Sequence, residues 1–143
     1  MAEHPLFSAI HAQQQRLEGI KTLLVKERQA LLERDSVNIE SLLREKLRLI
    51  DELKQVDGEI AEHPDLAQLK QLPEFLQLVE HCKSTLAQCQ RDNVENHRLA
   101  DQTLASMGRL QQILHRTKSL NSMTYTQDGG TTAGARLGRT IKA

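Results

Sequence analysis

The sequence predicts an all-α protein: an antiparallel helical hairpin, then a long third helix, making a three-helix, coiled-coil-like bundle with a flexible C-terminal tail. Three observations predict it. Apolar or small side chains recur at alternating three- and four-residue spacing, the mark of helices that lay one stripe against other helices. Among 143 residues only Phe7, Phe75 and Tyr125 are aromatic; leucine supplies the apolar bulk among Gln, Glu, Lys and Arg, a composition that suits helices and serves sheets poorly. Pro5, Pro64 and Pro73 all fall where a helix should begin or a connection lie.

The elements follow in order. A first helix is expected over about 6–34, with Leu6, Ile10, Gln13, Leu17, Ile20, Leu24, Glu27 and Leu31 on its seam. Asp35 and Ser36 are capping and turn residues. A second helix over 37–61 carries Ile39, Leu42, Lys46, Leu49, Leu53, Val56 and Ile60. The two seams mirror each other around the turn: Leu31 with Leu42, Leu24 with Leu49, Ile20 with Leu53 and Leu17 with Val56 each sum to 73. That register sets Glu27 against Lys46, the only charged residues on the two seams, so the pair is expected to meet and fix register. Residues 62–72 are a connection.

The third helix is expected over 74–121. Its seam is unbroken from Phe75 through Val79, Cys82, Leu86, Cys89, Asn93, Asn96, Ala100, Thr103, Met107, Leu110 and Leu114 to Thr117, and Gly108 is its one glycine. At ~1.5 Å per residue it would be ~72 Å long against ~37 Å for the second helix, so it should overhang the hairpin. Leu99, Leu104, Met107, Leu110, Ile113, Leu114 and Leu120 would then form a stripe for a partner. Three outcomes stay open: the stripe takes a partner's helix, it self-associates into a homodimer when no partner is bound, or it folds back on the bundle at Gly108. Asn93 and Asn96 either specify register on the seam or face water at the bundle end. Residues 1–121 are read as one helical domain and 122–143, rich in glycine and basic, as a flexible tail.

Several function classes are disfavoured. Nineteen basic residues balance nineteen acidic ones, which offers a polyanion no broad positive surface, so no nucleic-acid partner is expected. No apolar run approaches the ~20 residues of a membrane span, and Met1-Ala2-Glu3-His4-Pro5 lacks the features of a leader, so a cytoplasmic location is expected. Cys82 and Cys89, ~10.5 Å apart along a helix, are core thiols rather than a disulfide. None of the six histidines pairs with another at i,i+4 on one helix; each reads as a surface or edge residue, and no metal or cofactor is expected. Asp128-Gly129-Gly130 is a turn without the Lys-Ser/Thr of a phosphate loop. No nucleophile with its base is visible, and the chain is not expected to be an enzyme.

Certain residues also carry a resemblance. Leu23-Leu24, Glu27, Ala30-Leu31, Asp35, Leu42-Leu43, Lys46, Leu49-Ile50 and Leu53 in the hairpin, Asn93-x-x-Asn96 in the third helix, and Tyr125 followed by Asp128-Gly129 stand in an order and spacing that resembles the FlgN-type flagellar export chaperones. The chain departs from that pattern at His97, where the family often has glycine, and at Gly130, where it has a bulkier polar residue. The resemblance implies a helical cytoplasmic chaperone without ATPase activity. It would bind the C-terminal helical segments of hook-filament junction proteins through the end of the third helix and the following tail. It would deliver them to the flagellar type III export gate, with the gate's ATPase complex as a further candidate partner, and Tyr125 matches a tail tyrosine used for the gate. The other reading is a coiled-coil adaptor or self-assembling structural protein with no secreted client.

Overall fold

The computed structural model describes residues 4–105, 107–125 and 131–132. Helix α1 spans Pro5–Glu33 and α2 spans Ser36–Ala61. Pro5 enters α1 in its first turn, where its missing N–H costs nothing, and the His4 ring accepts the Leu6 N–H at 3.0 Å. At the far end Arg34 adopts a left-handed conformation (φ 53°), so that its N–H reaches the Leu31 carbonyl and the Asp35 N–H reaches that of Ala30. This 6→1, 5→2 pairing closes the helix, and the Asp35 side chain then caps α2 by accepting the Asn38 N–H at 3.2 Å. The hairpin tip is therefore sharp.

The second seam runs differently from the expected one. Leu43, Ile50 and Asp57 are buried, whereas Leu42, Leu49 and Val56 are half-buried at the edge of the core. A four-residue step replaces a three-residue step at each place, because α2 must face both α1 and the C-terminal part of the chain. Asp57 thereby enters the core opposite Gln13, whose amide donates to the Leu53 carbonyl at 2.9 Å and to Asp57 Oδ1 at 3.3 Å.

A short helix α3 (Leu66–Leu69) turns the chain, and α4 (Pro73–Thr103) runs parallel to α1. Phe75 packs edge-on against Phe7, ring centres 5.6 Å apart. Cys82, Cys89 and Asn96, one heptad apart, turn towards the carbonyls of Ile10, Leu17 and Leu24 at a constant offset of 72 residues. Both thiols are free and buried, and burial pushes each up to about 12.

The third helix is not continuous over 74–121. Helix α4 ends at Thr103, whose hydroxyl bonds back to the Leu99 carbonyl at 3.0 Å, and α5 (Gly108–Thr117) turns back against α2. A 3-10 turn (Lys118–Ser122) and a two-residue antiparallel ladder of β1 (Thr124–Tyr125) with β2 (Thr131–Thr132) complete the return. Strand β1 lies against α4 and β2 against α2. The expected overhang is thus a strap over the α2–α4 side of the bundle, and the fold-back alternative is the one adopted. Magnitudes decide it: burying four large aliphatic side chains gives ~1.5–3 kcal/mol each, whereas the hydrogen bonds given up at the break are worth ~1 kcal/mol each, net of water. Ser122–Tyr125 and Thr131–Thr132 belong to the segment expected as a flexible tail, yet Met123 is buried; the remainder of that expectation lies outside the described residues.

Candidate functional site

The strap is held by an apolar layer and a polar ladder. In the apolar layer Leu110, Ile113 and Leu114 of α5 meet Leu31 of α1, Ile39 and Leu43 of α2, Ala100 of α4 and Leu104 just past its end. Leu120 and Met123 continue it into the main core. The stripe expected to stand free is therefore covered by the protein's own hairpin: Leu104, Leu110, Ile113, Leu114 and Leu120 are all 5% exposed or less. Leu99 and Met107 are half-buried against the same cluster. The reason is the seam itself, which satisfies the same three-four spacing whether the helix continues or doubles back.

The polar ladder starts from the ion pair. Lys46 Nζ lies 2.7 Å from Glu27 Oε2, both side chains being removed from solvent. Lys46 also donates to Asn93 Oδ1 at 2.8 Å, and Asn96 donates to Glu27 Oε1 and to the Leu24 carbonyl, each at 2.8 Å. Burial pushes the Lys46 amine below its ordinary value, while Glu27 pulls it back. Both asparagines are buried members of this network and do not face water. Asn93 then turns its amide to the strap, donating to the Thr117 carbonyl at 3.4 Å and to Asn121 Oδ1 at 3.2 Å. One turn earlier on α4, Gln90 donates to the carbonyls of Leu120 (3.2 Å) and Met123 (2.5 Å). At the start of α5, Arg109 donates to Glu40 of α2 at 2.6 Å. Arg44 first, and Arg109 beside it, hold the Glu40 carboxyl below its usual range against an opposing desolvation.

His97 is the top rung, and it is buried, contrary to the expectation of a surface or edge residue. The Thr117 hydroxyl donates to the Leu114 carbonyl at 2.7 Å, which leaves its oxygen to accept from His97 Nε2 at 3.2 Å. Nδ1 is then the unprotonated nitrogen, buried without a hydrogen-bond partner. Burial, and then Lys46, Lys118 and His115, push the ring down to about 3. In the unfolded chain it titrates near ~6.5. The unfolded state therefore binds the extra proton between the two values, and the stabilisation present above ~6.5 is lost as pH falls. Lowering the pH from 7 to 5 is expected to remove at most about 2 kcal/mol through this residue, less whatever solvent screening relieves. Urea titrations of the wild type and His97→Gln at both pH values measure the difference, and an equal loss in both proteins would contradict it.

Gln90, His97, Asn121, Glu40 and Arg109 were not legible as site residues. The available signal was the spacing of Gln90, Asn93 and His97, three and four residues apart on one face of α4. Tyr125 lies in β1, directly after Met123 and Thr124 at the end of the strap. Among the described residues no group of three or more His, Cys, Asp and Glu side chains could hold a metal ion, and no described helix is long and apolar enough to cross a membrane.

Fold and site together define a class: a small all-α bundle whose distinctive feature is an amphipathic segment docked on its own surface. The family model described as FlgN protein matches residues 1–133, and the chain belongs to the FlgN family, whose members are flagellar export chaperones rather than enzymes. No curated protein and no solved structure matches the chain.

Proposed function

We propose that this chaperone works in the cytoplasm, binds the C-terminal helical segments of hook-filament junction proteins, and hands them to the flagellar export gate. The observation that carries this reading is the strap: an amphipathic helix whose apolar stripe rests in a groove of its own chain and is tied there by a few polar bonds. Leu99, Leu104, Met107, Leu110, Ile113, Leu114 and Leu120 form the client stripe, covered until a client competes for it. Segments that must later join a filament carry apolar faces of the same kind, and a covered stripe keeps the idle chaperone from aggregating. Apparent client affinity is then the intrinsic affinity reduced by the fraction of chains whose strap is open. Tyr125, where the strap ends, is the candidate gate anchor, its ring and hydroxyl suiting a partner pocket. The gate's ATPase complex is a further candidate partner. No nucleotide is needed for release if gate and client compete for adjoining strap residues.

Three variants test this division. Leu114→Asp, or Leu110→Asp, is expected to abolish the discrete complex with a purified junction-protein C-terminal segment in size-exclusion chromatography. Tyr125→Ala is expected to keep that complex and reduce client secretion severalfold in flagellated cells. Retained binding in the aspartate variants would move the client site elsewhere; lost binding in Tyr125→Ala would merge the two roles. A coiled-coil adaptor without a secreted client would form no such complex at all.

A further inference from the structure

The break between α4 and α5 has an unusual property. The three-four seam crosses it in phase, from Ala100 and Thr103 through Met107 to Leu110, Leu114 and Thr117. A loop built only to reverse the chain has no reason to keep heptad phase. The linking sequence Leu104-Ala105-Ser106-Met107 holds neither proline nor glycine, and alanine, leucine and methionine are strong helix formers. Gly108 has open space where a Cβ would stand, so it does not enforce the turn. The residues around the break thus suit a straight α4–α5 helix as well as a bent one.

We infer that a second copy of this chain is the alternative occupant of the strap's groove: two chains straighten at the break and exchange α5 with its 3-10 turn, forming an intertwined dimer joined tip to tip. The directions agree. In the closed chain α5 runs from the hairpin tip back along the bundle, and a straightened α5 leaving one tip would enter a facing bundle from its tip in that same sense. Every contact of the strap can be remade between copies, Arg109 with Glu40, Asn93 with Thr117 and Asn121, and Leu110, Ile113 and Leu114 with Ile39 and Leu43. Exchange of an identical element is a low-cost route to a dimer, because only the hinge changes. The tip itself supplies a second observation. Val37 is 82% exposed and Leu32 56%, the first lining a cleft with Met107, Gly108 and Leu110 beside the break. Tip-to-tip association would cover these side chains, which the closed chain leaves in water. The inference concerns the purified chain alone and stands or falls independently of any client.

Gly108 allows a test with two opposite substitutions. At the first position of α5 proline is well tolerated, but in the interior of a straight helix it is strongly unfavourable. Alanine instead favours the straight helix, by a factor of about five per hinge. Multi-angle light scattering over a concentration series is expected to show a monomer–dimer equilibrium for the wild type. Gly108→Ala should raise the dimer association constant roughly 25-fold, two hinges contributing. Gly108→Pro should be monomeric throughout, with circular dichroism confirming that both variants keep their helix content. To distinguish exchange from simple docking, Glu40→Cys and Arg109→Cys chains are mixed, co-refolded and treated with a short bis-maleimide, to which the buried native thiols are poor nucleophiles. An exchanged dimer cross-links between copies. Monomers at every concentration in wild type and Gly108→Ala alike, or a dimer without that cross-link, would overturn the inference.

Discussion

Lys46→Ala is expected to destabilise the chain by about 3–5 kcal/mol, the cost of leaving a buried carboxylate without its cation. Glu27 and the Lys46 ammonium lie 2.7 Å apart with both side chains removed from solvent, and water cannot readily replace the missing partner. The pair as a whole contributes much less than this, because desolvation consumes most of the attraction. A double variant that removes both charges, Glu27→Leu with Lys46→Met, should therefore be more stable than Lys46→Ala alone. It will not reach the wild type, since Asn93 loses a donor and Asn96 an acceptor. Urea denaturation of Glu27→Leu, Lys46→Met and the double that combines them gives the coupling energy. Additive losses would mean that the two charges act separately and do not set the hairpin register.

Leu114→Asp is expected to release the strap while leaving the hairpin and α4 folded. Leu114 is 1% exposed among Leu31, Ile39, Leu43, Ala100 and Leu104. Losing its burial removes about 1.5–3 kcal/mol, and a carboxylate in the same place adds a desolvation cost of at least ~1 kcal/mol. Together these shift the closed–open balance by roughly sixtyfold or more. Among the described residues the main core, with Ile10, Leu17, Ile20, Ile50, Leu53, Phe75 and Val79, draws only Leu120 and Met123 from the C-terminal return. Hydrogen exchange should then quicken across 108–122 and stay slow in α1. Unchanged protection of α5 would show that the polar ladder alone holds it; uniform loss everywhere would show that the strap is integral to the bundle.

The hairpin was legible because its signals are local and redundant: Pro5 at the start, Asp35 at the turn, and two leucine seams that mirror about one point. The meeting of Glu27 and Lys46 followed from that mirror alone. The depth of Leu43, Ile50 and Asp57 did not, because positions 42 and 43, or 49 and 50, are both apolar and only the direction of a further neighbour chooses between them. The break after Thr103 was legible only as one of three outcomes, for a related reason. Periodicity records which face of a helix is apolar, not whether that face meets another chain, another helix or its own continuation. His97 and Thr117 gave no signal separately, since a ring and a hydroxyl twenty residues apart become partners only once the strap returns. The residues of the stripe were thus identifiable as one apolar face, whereas what covers that face stayed open among three outcomes.

On the proposed function, the client stripe carried by the strap lies against the hairpin in the free chaperone and leaves it when a client binds. Spin labels at Glu40→Cys and Arg109→Cys read it directly, because these two side chains touch in the closed chain. The native thiols are buried and should remain unlabelled. In dilute, client-free protein the distance distribution should be a single short peak. Saturating the protein with a hook-filament junction C-terminal segment should replace that peak with a long one. A short peak that persists in the fully formed complex would contradict the account.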